Sequence, residues 1–309
     1  MNRFWTEPRR LPPGHPFFDI LKTTVKGRCV VSEKIEFSVS MCVWAGDDPD
    51  FFDAAIESIS EQTVQPTEVV LTVDGPIPEK TESVIKKYRD TLPRKNIGFK
   101  VVYLEKNVGH GEARRVCFEN CACDLIALMD ADDLSLPDRF EKQLDIFKRD
   151  PDTSVVGGNI REFIGDPDNC VGRRIVPETD SEIKEYLKKR CPMNQITVMF
   201  KKAAVEEAGG YIDWFCEEDY YLWLRMSLIG KKFANVQYDL ANVRVGEDMY
   251  SRRGGLKYFK SEAKLQRYML KNGVIGLPRY LINVSERFIL QVMMPNKIRG
   301  FLFRKFARS

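Results

Sequence analysis

From Phe37 to Trp44 apolar and polar residues alternate, the period of a strand with one buried face, and the run breaks at Ala45-Gly46-Asp47-Asp48-Pro49. The period then lengthens. Over 50–63, Phe51, Phe52, Ala55, Ile56 and Ile59 share one face of a predicted helix. Residues 68–73 form an apolar run of buried-strand length, stopped by Asp74-Gly75-Pro76. The alternation continues with helix 79–91, strand 99–104, helix 111–121, strand 125–129, helix 137–149 and strand 153–160. Pro137 is placed in the first turn of its helix, a position where the missing N–H costs nothing. Short apolar strands alternating with helices predict an α/β fold with a Rossmann-like, mostly parallel sheet flanked by helices. Beyond residue 160 the rhythm loosens. The pattern there predicts a polar loop over 165–179, helix 180–190, strand 194–200, helices 201–208 and 217–229, and strand 232–238. Two further helices are predicted at 256–272 and 279–294, and the apolar stripe of the second is expected to dock on the body. Residues 1–36 carry Pro8, Pro12, Pro13, Gly14 and Pro16 with no sustained period. Three regions result: an N-terminal extension (1–36), a main domain (37–250) and a helical C-terminal region (251–309).

Composition sharpens this picture at two points. The chain of 309 residues has 19 Phe, 11 Tyr and 4 Trp, enough to exclude intrinsic disorder. Its net charge of +3 hides a split: 251–309 holds 14 Lys and Arg against two Glu, whereas 37–250 carries a net −12. No run approaches the roughly 18 apolar residues of a membrane span. The eight cysteines follow no disulfide or zinc spacing, and Met1–Pro8 has no apolar leader core, so buried thiols in a reducing cytosol are expected.

In open α/β sheets ligands bind at the carboxyl ends of the strands. Here one such strand ends in Asp74 and another in Asp130-Ala131-Asp132-Asp133. Three carboxylates in four residues repel one another, and a hard divalent cation that brings substrate phosphates into its shell would compensate them. The alternative is a solvated acidic turn, with Asp133 or Ser135 capping helix 137–149. A second acidic cluster, Glu217-Glu218-Asp219, opens a helix crowded with Tyr220, Leu222, Trp223 and Leu224. It complements the helix dipole, or, against so apolar a wall, supplies a general base. Between them, Asn107-Val108-Gly109-His110-Gly111 leads into Arg114 at a strand–helix turn, where glycines let a backbone approach a ligand.

This ordered set resembles the family 2 glycosyltransferases with the GT-A fold, and it covers roughly residues 37–245. It comprises Phe37–Trp44 with its polar loop, Val73-Asp74-Gly75, Asn107-x-Gly109 with Ala113-Arg114, Met129–Asp133 and Glu218-Asp219-Tyr220-x-Leu222-Trp223-x-Arg225. The resemblance implies that the loop around Ala45, with Asp74, holds the uracil and ribose of a UDP-sugar, and that Arg114 assists the nucleotide. Within Asp130-Ala131-Asp132, it implies that Asp130 faces ribose and sugar and that Asp132 ligates Mn²⁺ or Mg²⁺ on the diphosphate. Asp219 is implied as the base that deprotonates the acceptor hydroxyl, with Glu218 beside it, and inversion at the anomeric carbon follows from in-line attack. A retaining route would need a second carboxylate as nucleophile, and none is identifiable.

Cys191–Lys201 and Gly209-Gly210-Tyr211 are similar to a subgroup that builds bacterial surface polysaccharides by moving galactose or glucose onto a lipid-diphosphate-linked sugar. Gln195 stands where that subgroup is expected to carry His, and the 36-residue extension departs from members that begin at the first strand. Over 297–308, Phe301, Leu302, Phe303 and Phe306 among five basic residues suit an anchor on an anionic membrane, at its cytoplasmic face. Nucleic acid is the rival partner, disfavoured by the acidic body and the lack of a binding motif. Other enzyme classes fit less well. A nucleotidyltransferase wants a basic Gly-rich loop where Ala45-Gly46-Asp47-Asp48 is acidic, and a DxD phosphatase wants Thr or Val where Leu134 stands. A non-catalytic UDP-sugar-binding scaffold would have no need of both acidic pairs.

Overall fold

Strand β2 (Glu68–Asp74) buries nearly every residue, as expected of a strand covered by helices on both faces. It lies between β1 (Phe37–Trp44) and β3 (Gly98–Tyr103), parallel to both, and β4 (Leu125–Met129) extends the parallel set on the far side of β1. These strands come from a computed structural model that describes residues 35–246 and 254–294. Nearly all of the N-terminal extension, and the basic segment 297–308, lie outside the described residues. Among the described residues the sheet has nine strands in the order β3-β2-β1-β4-β8 (Met199–Lys201)-β6 (Thr153–Phe163)-β9 (Lys232–Arg244)-β5 (Leu134–Ser135), with β7 (Cys170–Arg174) beside β6. The chain runs β1, β2, β3 in one direction and then crosses to β4. The carboxyl ends of β1 and β4 therefore flank a switch point, where a crevice opens.

Local chemistry sets some element ends. Asp48 caps α1 (Pro49–Ser60), its Oδ1 accepting from the Asp50 and Phe51 amides at 2.8 and 3.4 Å, and Pro49 starts the first turn. Phe52, Ala55, Ile56 and Ile59 are the buried face of that helix, as the periodicity predicts. Helices α2 (Glu79–Arg94) and α3 (His110–Asn120) complete the first half. Thr179 and Glu182 form a reciprocal capping box at the start of α5 (Asp180–Leu187).

Five predicted elements are corrected. Helix α4 spans Arg139–Arg149, and Pro137 lies before it rather than in its first turn. The amide of Leu136 donates to Leu240 O at 3.0 Å and Pro137 O accepts from Thr63 N at 2.8 Å, so tertiary partners hold this segment extended. Leu134–Ser135 forms the short strand β5 instead of a cap, and Asp138 occupies the N-cap without a side-chain bond to the helix amides, its carboxylate pairing with Lys142 instead. The polar stretch 165–179 contains β7 (Cys170–Arg174), which turns back onto β6 (Thr153–Phe163). Strand 194–200 becomes a 3₁₀ turn over Gln195–Thr197 followed by β8 (Met199–Lys201). There Thr197 Oγ1 donates to Asn194 O at 2.7 Å while accepting from Gly158 N at 3.0 Å. Strand 232–238 continues to Arg244 as β9 (Lys232–Arg244), parallel to β6.

Gly157 and Gly158 allow that pairing. A Cβ on Gly158 would lie 2.5 Å from Leu240 Cδ1, and one on Gly157 would lie 2.5 Å from Asn235 Oδ1. Two of the three register shifts between β6 and β9 fall immediately after these glycines.

Helices α6 (Lys202–Glu207) and α7 (Glu218–Leu228) follow β8, and α8 (Leu256–Lys271) sends Leu265 and Met269 into the same core as Trp223 and Phe200. Helix α9 (Leu277–Phe288) runs into a π turn over Ile289–Met293. Its orientation reverses the sequence expectation. Asn283 and Gln291 are buried, whereas Leu281, Ile282 and Ile289 stay about half exposed. The polar side is inward because Asn283 Nδ2 donates to Lys188 O and to Gln266 Oε1, both at 2.8 Å.

Candidate active site

A cavity of about 460 Å³ opens at the switch point, lined by Trp44, Asp47, Asp74, His110, Asp130 and Asp132 among others. Another hollow of similar size, about 490 Å³, lies beside α5 around Glu178, Glu182 and Tyr186 and holds none of the motif residues.

The floor is built by Asp74. Its Oδ1 accepts from Val108 N at 2.7 Å and its Oδ2 from Gly109 N at 3.1 Å, which pins the β3–α3 turn against the end of β2. Gly75 and Gly109 adopt positive φ (83° and 93°), and a Cβ on Gly75 would meet Asn107 N at 2.5 Å. Each carboxylate oxygen has a second lone pair, and Asp74 is among the residues that line the cavity.

That turn delivers His110 and Arg114. Arg114 is fully buried, so it does not line the cavity; it donates from Nη2 to Asp130 Oδ1 at 2.5 Å and from Nε to His110 Nε2 at 3.1 Å. His110 must then carry its proton on Nδ1, and the Arg114 cation, with burial, lowers its pKa to about 4. Burial pushes Asp130 up, but Arg114 and, more weakly, His110 hold it below its ordinary value. Asp130 is therefore an anchored anion. Ala131 is buried and Asp132 is exposed at the cavity. Asp133 turns inward to accept from Arg244 N at 2.8 Å, and burial, with Asp132 and Asp130, pushes its carboxyl well up.

Among the described residues, no group of three His, Cys, Asp or Glu side chains is arranged to hold a metal alone. The charge pattern still suits one. Asp47 is pushed up to about 6 by burial and then by Asp132 and Asp130, and a cation at Asp132 would relieve that strain. One protein carboxylate completed by diphosphate oxygens and water is a donor set that Mg²⁺ or Mn²⁺ accepts.

The second acidic cluster faces the first across His110. Glu218 Oε1 lies 4.0 Å from His110 Nε2, and burial followed by the charge of Asp219 raises Glu218 to about 7. Asp219 Oδ1 accepts from Tyr220 N at 2.6 Å, and the Cys191 thiol donates to its Oδ2 at 3.8 Å. Glu217 is buried and its pKa is well above the ordinary range, chiefly from burial and then from Glu262. The turn before α7 is under strain: Cys216 takes φ 58° without being glycine. Ser261 Oγ on α8 donates to Phe215 O at 2.6 Å and steadies that turn.

The structure thus brings Asp74, Asp130, Ala131 and Asp132 to one cavity, with Arg114 buried behind Asp130; Glu218, with Asp219 next to it in the chain, is not among the cavity residues and reaches the cavity through His110. Ala45 is exposed on the turn after β1 and is not among the cavity residues; Trp44 and Asp47 line the cleft there instead. A Cβ on Gly46 would come 2.2 Å from the Trp44 ring, so Gly46 lets the indole lie over the turn. Sequence reasoning also missed His110 as the bridge, Arg139, and Arg244. Arg139 is buried beneath the acidic turn and donates to Leu128 O at 2.7 Å, and Arg244 donates from Nε to Asp132 O at 3.2 Å. An Arg a few residues past the predicted end of strand 232–238 was the available signal for Arg244.

Residues 38–207 match the profile of the family described as Glycosyl transferase family 2. The chain is 34% identical over 273 residues to the amylovoran biosynthesis glycosyltransferase AmsE of Erwinia amylovora, covering 87% of this chain and 98% of that one. It is 33% identical over 273 residues to the UDP-Gal:alpha-D-GlcNAc-diphosphoundecaprenol beta-1,3-galactosyltransferase of Escherichia coli, covering 88% and 97%. Among solved structures, Staphylococcus aureus TarS 1–349 in complex with UDP-GlcNAc superposes with a TM-score of 0.63 at 16% identity, over 82% of this chain and 73% of that one. The fold is GT-A, a mixed α/β fold with a mostly parallel sheet flanked by helices.

Proposed function

The chain belongs to glycosyltransferase family 2 and is related to bacterial surface-polysaccharide glycosyltransferases; on that premise we propose that it moves a hexose, galactose or glucose, from a UDP-sugar to a lipid-diphosphate-linked saccharide, with inversion. The observation that carries this reading is the meeting of two acidic pairs with opposite tasks. Asp130 and Asp132 lie on the cavity side, Glu218 and Asp219 across from them, and His110 stands between.

On the donor side, Trp44, the Ala45 turn and Asp74 take the uracil and ribose, and Asp130, fixed by buried Arg114, faces ribose and sugar. Asp132 is the residue that would hold Mn²⁺ or Mg²⁺, and the cation would supply charge neutralisation for the departing UDP. A solved family likeness, the mannosyltransferase PcManGT of Pyrobaculum calidifontis with GDP-Man and Mn²⁺ (TM-score 0.56, 14% identity), supports a fold that accommodates such a pair. On the acceptor side Asp219 takes the hydroxyl proton as the acceptor oxygen bonds to the anomeric carbon. The bond from that carbon to the diphosphate breaks, and UDP leaves with the electron pair. Cys191 and the Tyr220 amide orient Asp219, and Glu218, whose carboxyl burial and Asp219 push up to about 7, limits the negative charge beside it.

The acceptor and the inner face of an anionic membrane are proposed together, with 297–308 as one basic contact. Release of UDP from UDP-Gal, UDP-Glc, UDP-GlcNAc and UDP-GalNAc, each with Mn²⁺, Mg²⁺ or chelator, tests the reading. A hexose donor should be used only with metal, and Asp132→Ala should lose at least about 100-fold in kcat/KM, as when a charge-stabilising group is removed. Equal turnover in chelator, or in Asp132→Ala, would refute the metal role.

A further inference from the structure

Helix α9 and the π turn after it are built the wrong way round for a soluble domain. Their hydrogen-bonding residues are inside: Asn283 is 2% exposed and Gln291 8% exposed, and Arg287 pairs with Glu262 at 3.1 Å. Their apolar residues are outside, with Leu277 57%, Leu281 54%, Ile289 51% and Met293 66% exposed. A contiguous apolar face of this kind marks a surface that another phase or molecule covers. The charge of the same C-terminal region identifies the occupant. Lys257, Lys260, Lys264, Arg267 and Lys271 recur every three or four residues and so share one face of α8, and all are exposed. Over 254–294 there are seven Lys and Arg against two Glu, and the chain continues past Met294 into the sequence with five more cations and Phe301, Leu302, Phe303 and Phe306. A protein partner for so apolar a face would not call for a flanking cation row, whereas anionic lipid calls for both.

From the inverted helix and its basic flank, we infer that the outer face of α9 and the π turn inserts among the acyl chains of an anionic bilayer, with the α8 lysine row on the headgroups. The inference rests on the proposed lipid-linked acceptor only for its purpose. The lipid face joins the acceptor side of the cleft through few residues. Gly255 N donates to Gln291 O at 2.9 Å, Ser261 holds the Phe215 turn, and Arg287 pairs with Glu262, whose charge bears on Glu217 beside Glu218 and Asp219. Lys257 Nζ sits 3.9 Å over the exposed Phe215 ring at that same turn. An acceptor whose lipid stays in the bilayer would therefore present its sugar to Asp219 without leaving the surface.

Cosedimentation of the full chain with phosphatidylglycerol-containing vesicles, against pure phosphatidylcholine vesicles, tests the inference. Binding is expected to the anionic vesicles, and Leu281→Glu and Ile289→Glu should each weaken it roughly tenfold or more. UDP-sugar hydrolysis in the absence of vesicles should be unchanged in both variants. Unchanged vesicle binding in both would overturn the inference, as would a concentration-dependent dimer that the same substitutions abolish while vesicle binding persists. As a readout independent of these variants, a solvatochromic dye on Ser285→Cys, in the middle of the exposed face, should shift to the blue on anionic vesicles; no shift overturns the inference. A wild-type chain that binds vesicles but uses no UDP-sugar would defeat the proposed function and leave the lipid face standing.

Discussion

Arg114 and Asp130 illustrate how a charge is placed in a site. A fully buried guanidinium is costly to desolvate, and only its bonds to Asp130 and His110 make it tolerable. Arg114→Met should therefore lower stability by about 3 kcal/mol, because it leaves a carboxylate without its partner; urea denaturation reads this. Arg114→Lys should not restore activity, since one ammonium cannot reach both acceptors in the fork geometry. Glu218 gives a pH signature. Its folded pKa, about 7, lies above the ordinary value of 4.5, so its contribution to stability is complete below about pH 4.5 and is lost as pH rises through 7. Melting temperature should fall across that window, and Glu218→Gln should flatten the fall. A profile that is identical in the variant would show that the proton is held elsewhere. At this scale the sequence revealed the acids, because Asp130, Asp132, Glu218 and Asp219 are adjacent pairs at predictable strand and helix ends. It concealed their partners: Arg114 meets Asp130 across 16 positions, and Arg244 meets Asp132 across 112.

Elements differ in how much of their structure is local. β1, β2, β4 and α1 were legible because period, cap and stop signal lie within each segment; Asp48 and Pro49 alone fix the start of α1. β5 and β7 were not, since two or five residues without a strong period become strands only by pairing with β9 and β6. The placement of Pro137 failed for the same reason, with Leu240 and Thr63 holding the segment extended. α9 was recognised as an amphipathic helix and assigned the wrong buried side, because period says that a helix has two faces and not which one meets the protein. Two substitutions separate these cases. Asp48→Ala should cost about 1 kcal/mol, the usual loss of a cap. Gly158→Val, which forces a side chain onto Leu240 and the Val236 carbonyl, should cost about 1–3 kcal/mol or block folding, as judged by thermal melting.

At the scale of the molecule, the near-neutral total charge of +3 divides into an acidic body and a basic end with separate tasks. The acidic body concentrates carboxylates at a switch point, where a cation and a diphosphate would complete them. The basic end carries the lysine row of α8 and the outward apolar face of α9, so the proposed donor cleft and the proposed lipid face would belong to one chain. No helix among the described residues is long and apolar enough to cross a membrane. Because its electrostatic part is screened within about 8 Å at physiological salt, vesicle binding should weaken but persist as salt is raised, the apolar face supplying the remainder. The most direct test of the central claim is the product itself. The full chain, supplied with UDP-Gal or UDP-Glc, Mn²⁺ and a GlcNAc-diphosphate-lipid analogue, should release UDP and form a disaccharide whose new linkage has the anomeric configuration opposite to that of the donor, read from the anomeric proton coupling. Asp219→Asn should form none. A product that retains the donor configuration, or wild-type turnover in Asp219→Asn, would contradict the account.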